Sequence, residues 1–145
     1  MTPTNILFAC TMNTVRSPMA AALMRHLAGE SLYVESAGVR AGALDPLAVE
    51  AMEEIGLKIG QHRPRRFEDL EDGSFDLVIT LSPEAQHKAV ELTRTAATQV
   101  EYWPTIDHTA VEGSREQRLT AYRAVRDQLM QRLKQRFLAP AAADT

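Results

Sequence analysis

The segment Cys10-Thr11-Met12-Asn13-Thr14-Val15-Arg16-Ser17 gathers residue types that do chemistry when they converge. Cys10 ends an apolar run, Arg16 follows after five intervening residues, and Ser17-Pro18 opens a helical pattern. A cysteine thiolate is a nucleophile. A guanidinium supplies a planar, bidentate grip on two oxygens of a phosphate. A loop running from the carboxyl end of a strand into a helix N-terminus aims several backbone N–H groups into one concavity and adds the positive end of the helix dipole. The same field favours the anionic sulfur at Cys10. These parts point to a phosphate cradle with a nucleophile at its floor, a site for phosphoryl transfer. The alternative is a buried structural cysteine beside a solvated arginine. The polar loop and its place at a strand's carboxyl end, where open α/β sheets bind ligands, argue against it. A nucleotide-binding loop of the G-x-x-x-x-G-K-[ST] type is excluded, because the segment has neither the glycines nor the lysine.

The flanking pattern supplies the elements such a loop needs. Residues 5–9 read as a buried strand. From Pro18 the apolar positions Met19, Ala20, Leu23, Met24 and Leu27 fall at helical intervals, with Gly29 as the stop. Residues 32–36 read as a second strand. Asp45 and Pro46 suit the N-cap and first turn of a helix ended by Gly56. Residues 67–70 form a short helical turn, residues 75–81 a β-rich run, and Ser82-Pro83 opens a helix to about residue 92 or 93. Residues 98–102 read as a fourth strand, followed by a loop over residues 103–113. A capping box at Ser114 and Gln117 then begins a long helix with the apolar stripe Leu119, Tyr122, Val125, Leu129, Leu133 and Phe137. This alternation predicts an α/β fold with a parallel sheet and right-handed crossovers.

Composition bounds the rest. A chain of 145 residues fits one domain, expected over residues 1–138 with residues 139–145 as a flexible tail. Apolar content of 45% and charged content of 24% are ordinary for a globular protein. A net charge of −3 gives no reason to expect nucleic acid or an anionic membrane as partner, so attraction for phosphate must be local. No apolar run approaches the ~20 residues of a membrane span, and the N-terminus lacks a signal peptide's basic and apolar regions. A single cysteine makes no internal disulfide, which suits a reducing cytoplasm. No cofactor and no metal are expected, and the number of subunits is left open.

The run CTMNTVRSPMA, from Cys10 to Ala20, resembles the active-site loop of the low-molecular-weight protein tyrosine phosphatases, C-x-G-N-x-C-R-S-P-M-A. The likeness continues in Ser36-Ala37-Gly38, residues 56–62, Phe75-Asp76 and the loop near Asp107. From Tyr102 onward the chain looks more like the arsenate reductases built on the same scaffold. The resemblance implies a three-layer sandwich with four parallel strands in the order 2-1-3-4, flanked by helices, and a phosphate-binding loop of residues Thr11, Met12, Asn13, Thr14, Val15, Arg16 and Ser17 after strand 1. It implies Cys10 as nucleophile, Arg16 as oxyanion ligand and Asp107 as general acid. Asn13 would hold the loop at positive φ, Ser17 would hydrogen-bond the thiolate, and Ser36 and His62 would brace the asparagine. Asp76 leads a strand at the wrong sheet edge, and Asp127 on the last helix reads as a surface ion-pair partner. Arg63, Arg65 and Arg66 read as a solvated face balanced by the acids at 68–72.

Five positions depart from the family pattern. Met12 stands for the usual loop glycine and would be strained at φ > 0. Val15 stands for a second cysteine, so a protective disulfide with Cys10 is unavailable and over-oxidation is expected. His108 stands for the proline after the acid. Thr109-Ala110 stand where an aromatic pair lines the slot, leaving Tyr102 or Trp103 as aromatic walls. The favoured reading is a phosphatase acting on phosphotyrosine-like or other phosphate monoesters, in a phosphorylated protein or small ester, through a phosphocysteine. The alternatives are an arsenate reductase using an external thiol such as glutathione, and a non-catalytic module that binds phosphate or another oxyanion.

Overall fold

The computed structural model describes residues 4–70, 74–94, 97–107, 109 and 111–138. Four strands, β1 (Asn5–Cys10), β2 (Tyr33–Gly38), β3 (Leu77–Thr80) and β4 (Gln99–Tyr102), form one parallel sheet in the order β2-β1-β3-β4. Helices α1 (Arg16–Ala28), α2 (Pro46–Glu53), α3 (Pro83–Leu92) and α4 (Arg115–Phe137) make the crossovers and the C-terminal cover. Class and strand order are those expected. The proposed tail, residues 139–145, lies outside the described residues.

The pleat sorts the strands' side chains. Ile6, Phe8, Leu77 and Ile79 point into the larger core, where α1, α2 and α4 pack. Leu7 and Val78 point the other way, onto Ala89 of α3 and Phe75. With both faces covered, β1 is buried from Ile6 through Cys10, which is why it reads as a continuous apolar run rather than an alternating one. On α4 the stripe Leu119, Tyr122, Val125, Leu129 and Leu133 is buried as its spacing predicts, with Phe137 partly buried against the same core.

The caps follow the sequence signals. Asp45 Oδ1 accepts from the Leu47 N–H at 2.9 Å, and its Oδ2 accepts from the Tyr122 hydroxyl at 2.5 Å, tying the start of α2 to α4. Burial and this carboxylate push the Tyr122 phenol above its ordinary range. Ser114 and Gln117 form the reciprocal capping box. Several boundaries differ from expectation by a residue or two, β3 among them, which spans 77–80 rather than 75–81. Helix α1 begins at Arg16, before the proline, so Ser17 is inside the first turn. Strand β2 runs on to Gly38 because Cys10 pairs with Gly38 in register.

Candidate active site

The loop over residues 11–15 hangs from the end of β1, one of the two interior strands of the sheet, and leads straight into α1. Its carbonyls are taken up on one side. Val39, Arg40 and Gly42 donate their N–H groups to the carbonyls of Cys10, Thr11 and Met12 at 3.1, 2.9 and 3.1 Å, and Asp45 donates to that of Thr14 at 3.4 Å. In a trans peptide the next N–H points opposite to the carbonyl. The N–H groups of Thr11, Met12, Asn13 and Val15 are therefore aimed away from the 39–45 segment, toward the concave side. The Asn13 N–H reaches Cys10 Sγ at 3.3 Å. Gly38 makes the approach possible. A Cβ there would lie 2.5 Å from the Arg40 carbonyl oxygen and 2.9 Å from both the Asn13 nitrogen and the Thr11 oxygen.

Asn13 is the loop's keystone. Its φ of 57° is the only positive value among the described non-glycine residues, in the left-handed region that asparagine tolerates best. Met12, expected to strain there, has no positive φ, so the loop needs no glycine at that position. The buried Asn13 side chain is fully engaged. Its Nδ2 donates to Ser17 Oγ at 2.8 Å and Ser36 Oγ at 3.0 Å, and its Oδ1 accepts from the Arg65 N–H at 2.9 Å. These bonds fix the amide's orientation, so His62 Nε2, 3.0 Å from Oδ1, must be the protonated ring nitrogen. Burial, with Arg25 nearby, pushes the His62 imidazole below its ordinary value despite the bond to Asn13.

Cys10 Sγ lies 3.0 Å from Ser17 Oγ. Arg16 is buried, and its Nη1 donates to the carbonyls of Thr105 at 3.1 Å and Leu81 at 3.4 Å, which fixes the guanidinium plane. Its Nη2 is 3.9 Å from Asp107 Oδ2. Asp107 is half exposed, and its Oδ1 accepts from the Thr109 N–H at 2.9 Å and hydroxyl at 2.7 Å. Asp107, distant in sequence, thus joins Cys10 and Arg16 in lining one pocket of about 50 Å³, with Met12, Thr14, Val15 and Thr109 completing its wall.

Other expectations fall out differently. Neither Tyr102 nor Trp103 lines this pocket. Trp103 is buried in the core, its ring edge-on to Phe8 and covered by the Arg132 guanidinium, so no aromatic wall comes from that segment. Arg65 is not part of a solvated face, since it pairs with Glu35 and supports Asn13 through its backbone. Arg66 does pair with Asp69. Asp76 caps the strand edge through Thr4 and Asn5, and Asp127 pairs with Arg126. His108 and Ala110 lie outside the described residues. The carbonyls of Leu81 and Thr105 and the Arg65 N–H were missed from sequence, because any residue type carries a backbone.

A cysteine thiol and a buried guanidinium on one loop, set at the carboxyl edge of a parallel sheet, are the arrangement a cysteine-dependent oxyanion-processing enzyme requires. The family model for low molecular weight phosphotyrosine protein phosphatase matches residues 5–143, and the chain belongs to that family. An arsenate reductase from Shouchella clausii is 36% identical over 130 residues, covering 89% of this chain and 91% of the relative. The solved structure of YwlE arginine phosphatase with a phosphorylated active-site serine superposes with a TM-score of 0.73 at 28% identity, covering 91% of this chain and 92% of the other. An arsenate reductase in the phosphate binding state gives a TM-score of 0.68 at 26% identity, over 90% and 94% of the two chains. By class, then, the chain is a cysteine-dependent phosphatase.

Proposed function

We propose that the chain hydrolyses phosphate monoesters, phosphotyrosine-like or smaller, by double displacement at Cys10. The observation that carries this reading is the shared pocket of Cys10, Arg16 and Asp107 over a loop whose amides face inward. The Cys10 thiolate attacks phosphorus, forming the S–P bond as the ester P–O bond breaks. Arg16 and the loop amides hold the three equatorial oxygens, and Asp107 gives its proton to the departing oxygen. Asp107 then takes a proton from the water that attacks the phosphocysteine, and Ser17 Oγ stabilises the sulfur as it leaves. The absence of an aromatic side chain among the described residues lining the pocket favours donors that do not depend on ring stacking. A single thiol that must stay reduced suits the cytoplasm or another reducing setting.

The test is p-nitrophenyl phosphate turnover. Cys10→Ser should lower kcat by about 10³-fold or more. Asp107→Asn should lower it by ~10²–10⁴-fold for an alkyl ester and less for p-nitrophenol, which departs without help. Wild-type turnover no faster than Cys10→Ser between pH 5 and 8 would overturn the proposal.

A second reading is favoured by the arsenate reductase relatives. The chain has one cysteine, so no second thiol of its own can relay the electrons. Arsenate reduction would need an external thiol, and glutathione-dependent release of arsenite is its test. Phosphoarginine belongs in the same substrate panel because a solved relative is an arginine phosphatase.

A further inference from the structure

A second pocket, of about 420 Å³, shares no lining residue with the one over Cys10 and falls in the size range of small-molecule sites. Arg25 and His26 enter it from the last turn of α1, and Lys58 and His62 from the segment after α2. No lining residue is acidic. Glu35, next door on β2, pairs with Arg65 and lies 3.9 Å from Arg25. Arg25, Arg65 and Lys58 against this one carboxylate leave two positive charges in excess. The Arg25 head is held in place, since Nε and Nη2 both donate to the Val34 carbonyl at 3.2 and 2.6 Å. Burial and the neighbouring Arg65 lower its affinity for its own proton, and His62 feels Arg25 in the same sense. Among the residues lining the pocket, Arg25 and Lys58 thus face no carboxylate of the pocket itself. Ala22, Leu57 and Ile59 give the pocket an apolar wall beside the cations.

We propose that this pocket is a second ligand site, for a small organic phosphate whose dianionic head sits among Arg25, His26 and Lys58 and whose apolar body lies on Ala22, Leu57 and Ile59. Its floor includes Ser36 and His62, the two side chains that also hold Asn13. An occupant therefore bears on the residues that fix the loop around Cys10, without entering the reaction pocket.

The site is tested by titrating ¹⁵N-labelled protein with phenylphosphonate, a dianion with an apolar ring and no ester bond to hydrolyse. Shifts are read separately at the amides of Thr14 and Val15 and at those of Ala22, Lys58 and Gln61. The second set should saturate. Lys58→Glu should weaken that isotherm about tenfold, the scale of one charge-assisted contact, and Lys58→Arg should restore it. The Thr14 and Val15 shifts should remain saturable in all three proteins, which also reports that the variants are folded. No saturable shift in the second set up to about 10 mM, or unchanged affinity there in Lys58→Glu, would overturn the proposal. Because the two sets of amides are read separately, a failure of binding over Cys10 is distinguishable from a failure here.

Discussion

Asn13 shows how one side chain converts a flexible loop into a fixed one. Its backbone takes a conformation costing most residues about 1–2 kcal/mol, and its amide reaches Ser17, Ser36, His62 and the Arg65 backbone. Two substitutions separate these contributions. Asn13→Ala loses both the backbone tolerance and the bonds, whereas Asn13→Gly keeps the tolerance alone. Chemical denaturation should find the glycine variant more stable than the alanine variant by about 1–2 kcal/mol. Both should lose kcat, because both release Ser17 and the loop amides. Equal activity of Asn13→Gly and wild type would show that the bracing bonds are dispensable. Asn13 and Ser17 were legible because the motif names them. The anchoring of Arg16 by the Leu81 and Thr105 carbonyls was not, since it depends on how two distant loops meet.

At the scale of elements, the loop depends on how β1, β2 and α1 join. Gly38→Ala should displace the loop, because the new methyl meets backbone atoms of Thr11, Asn13 and Arg40 that cannot swing aside. A stability loss of ~1–3 kcal/mol, together with a fall in kcat, is the expected outcome. A second junction ties α2 to α4, where Glu54 accepts from Arg123 and Arg126. Those arginines, Arg123 foremost, hold the Glu54 carboxyl at about 2 against an ordinary 4.5. A depressed carboxyl stabilises the fold above the unfolded-chain value and loses that contribution as pH falls toward the folded one. The urea midpoint should therefore decline between about pH 4.5 and pH 2, less steeply in Glu54→Gln than in wild type. Equal slopes would remove Glu54 from the account. Proline and cap signals placed most helix starts within a residue or two. Helix α1 starts at Arg16, one to two residues before the Ser17-Pro18 signal, because the loop leads straight into the helix.

For the whole molecule, strand alternation and apolar runs disclosed an α/β protein, while the order of its strands came from the family motif. Periodicity says which residues face a core but not which strand is neighbour to which. The misplacement of Trp103 has the same cause: its position after β4 was evident, but not that its ring would turn inward onto Phe8, leaving no aromatic wall among the described residues of the pocket over Cys10. The folded sheet brings Asp107, nearly a hundred residues away, beside Arg16. The chain's one cysteine serves phosphoryl transfer, which needs a single thiolate, and removes an internal thiol relay, which needs more, so that arsenate reduction is left only the external-thiol route.

The most direct measurement is mass spectrometry of protein acid-quenched during steady turnover of p-nitrophenyl phosphate, with peptide mapping of any added phosphoryl group. The double-displacement account predicts phosphate covalently on Cys10, accumulating further in Asp107→Asn where its hydrolysis is slowed. Turnover with no phosphoryl group on Cys10 in either protein, or with the group on another residue, would contradict it.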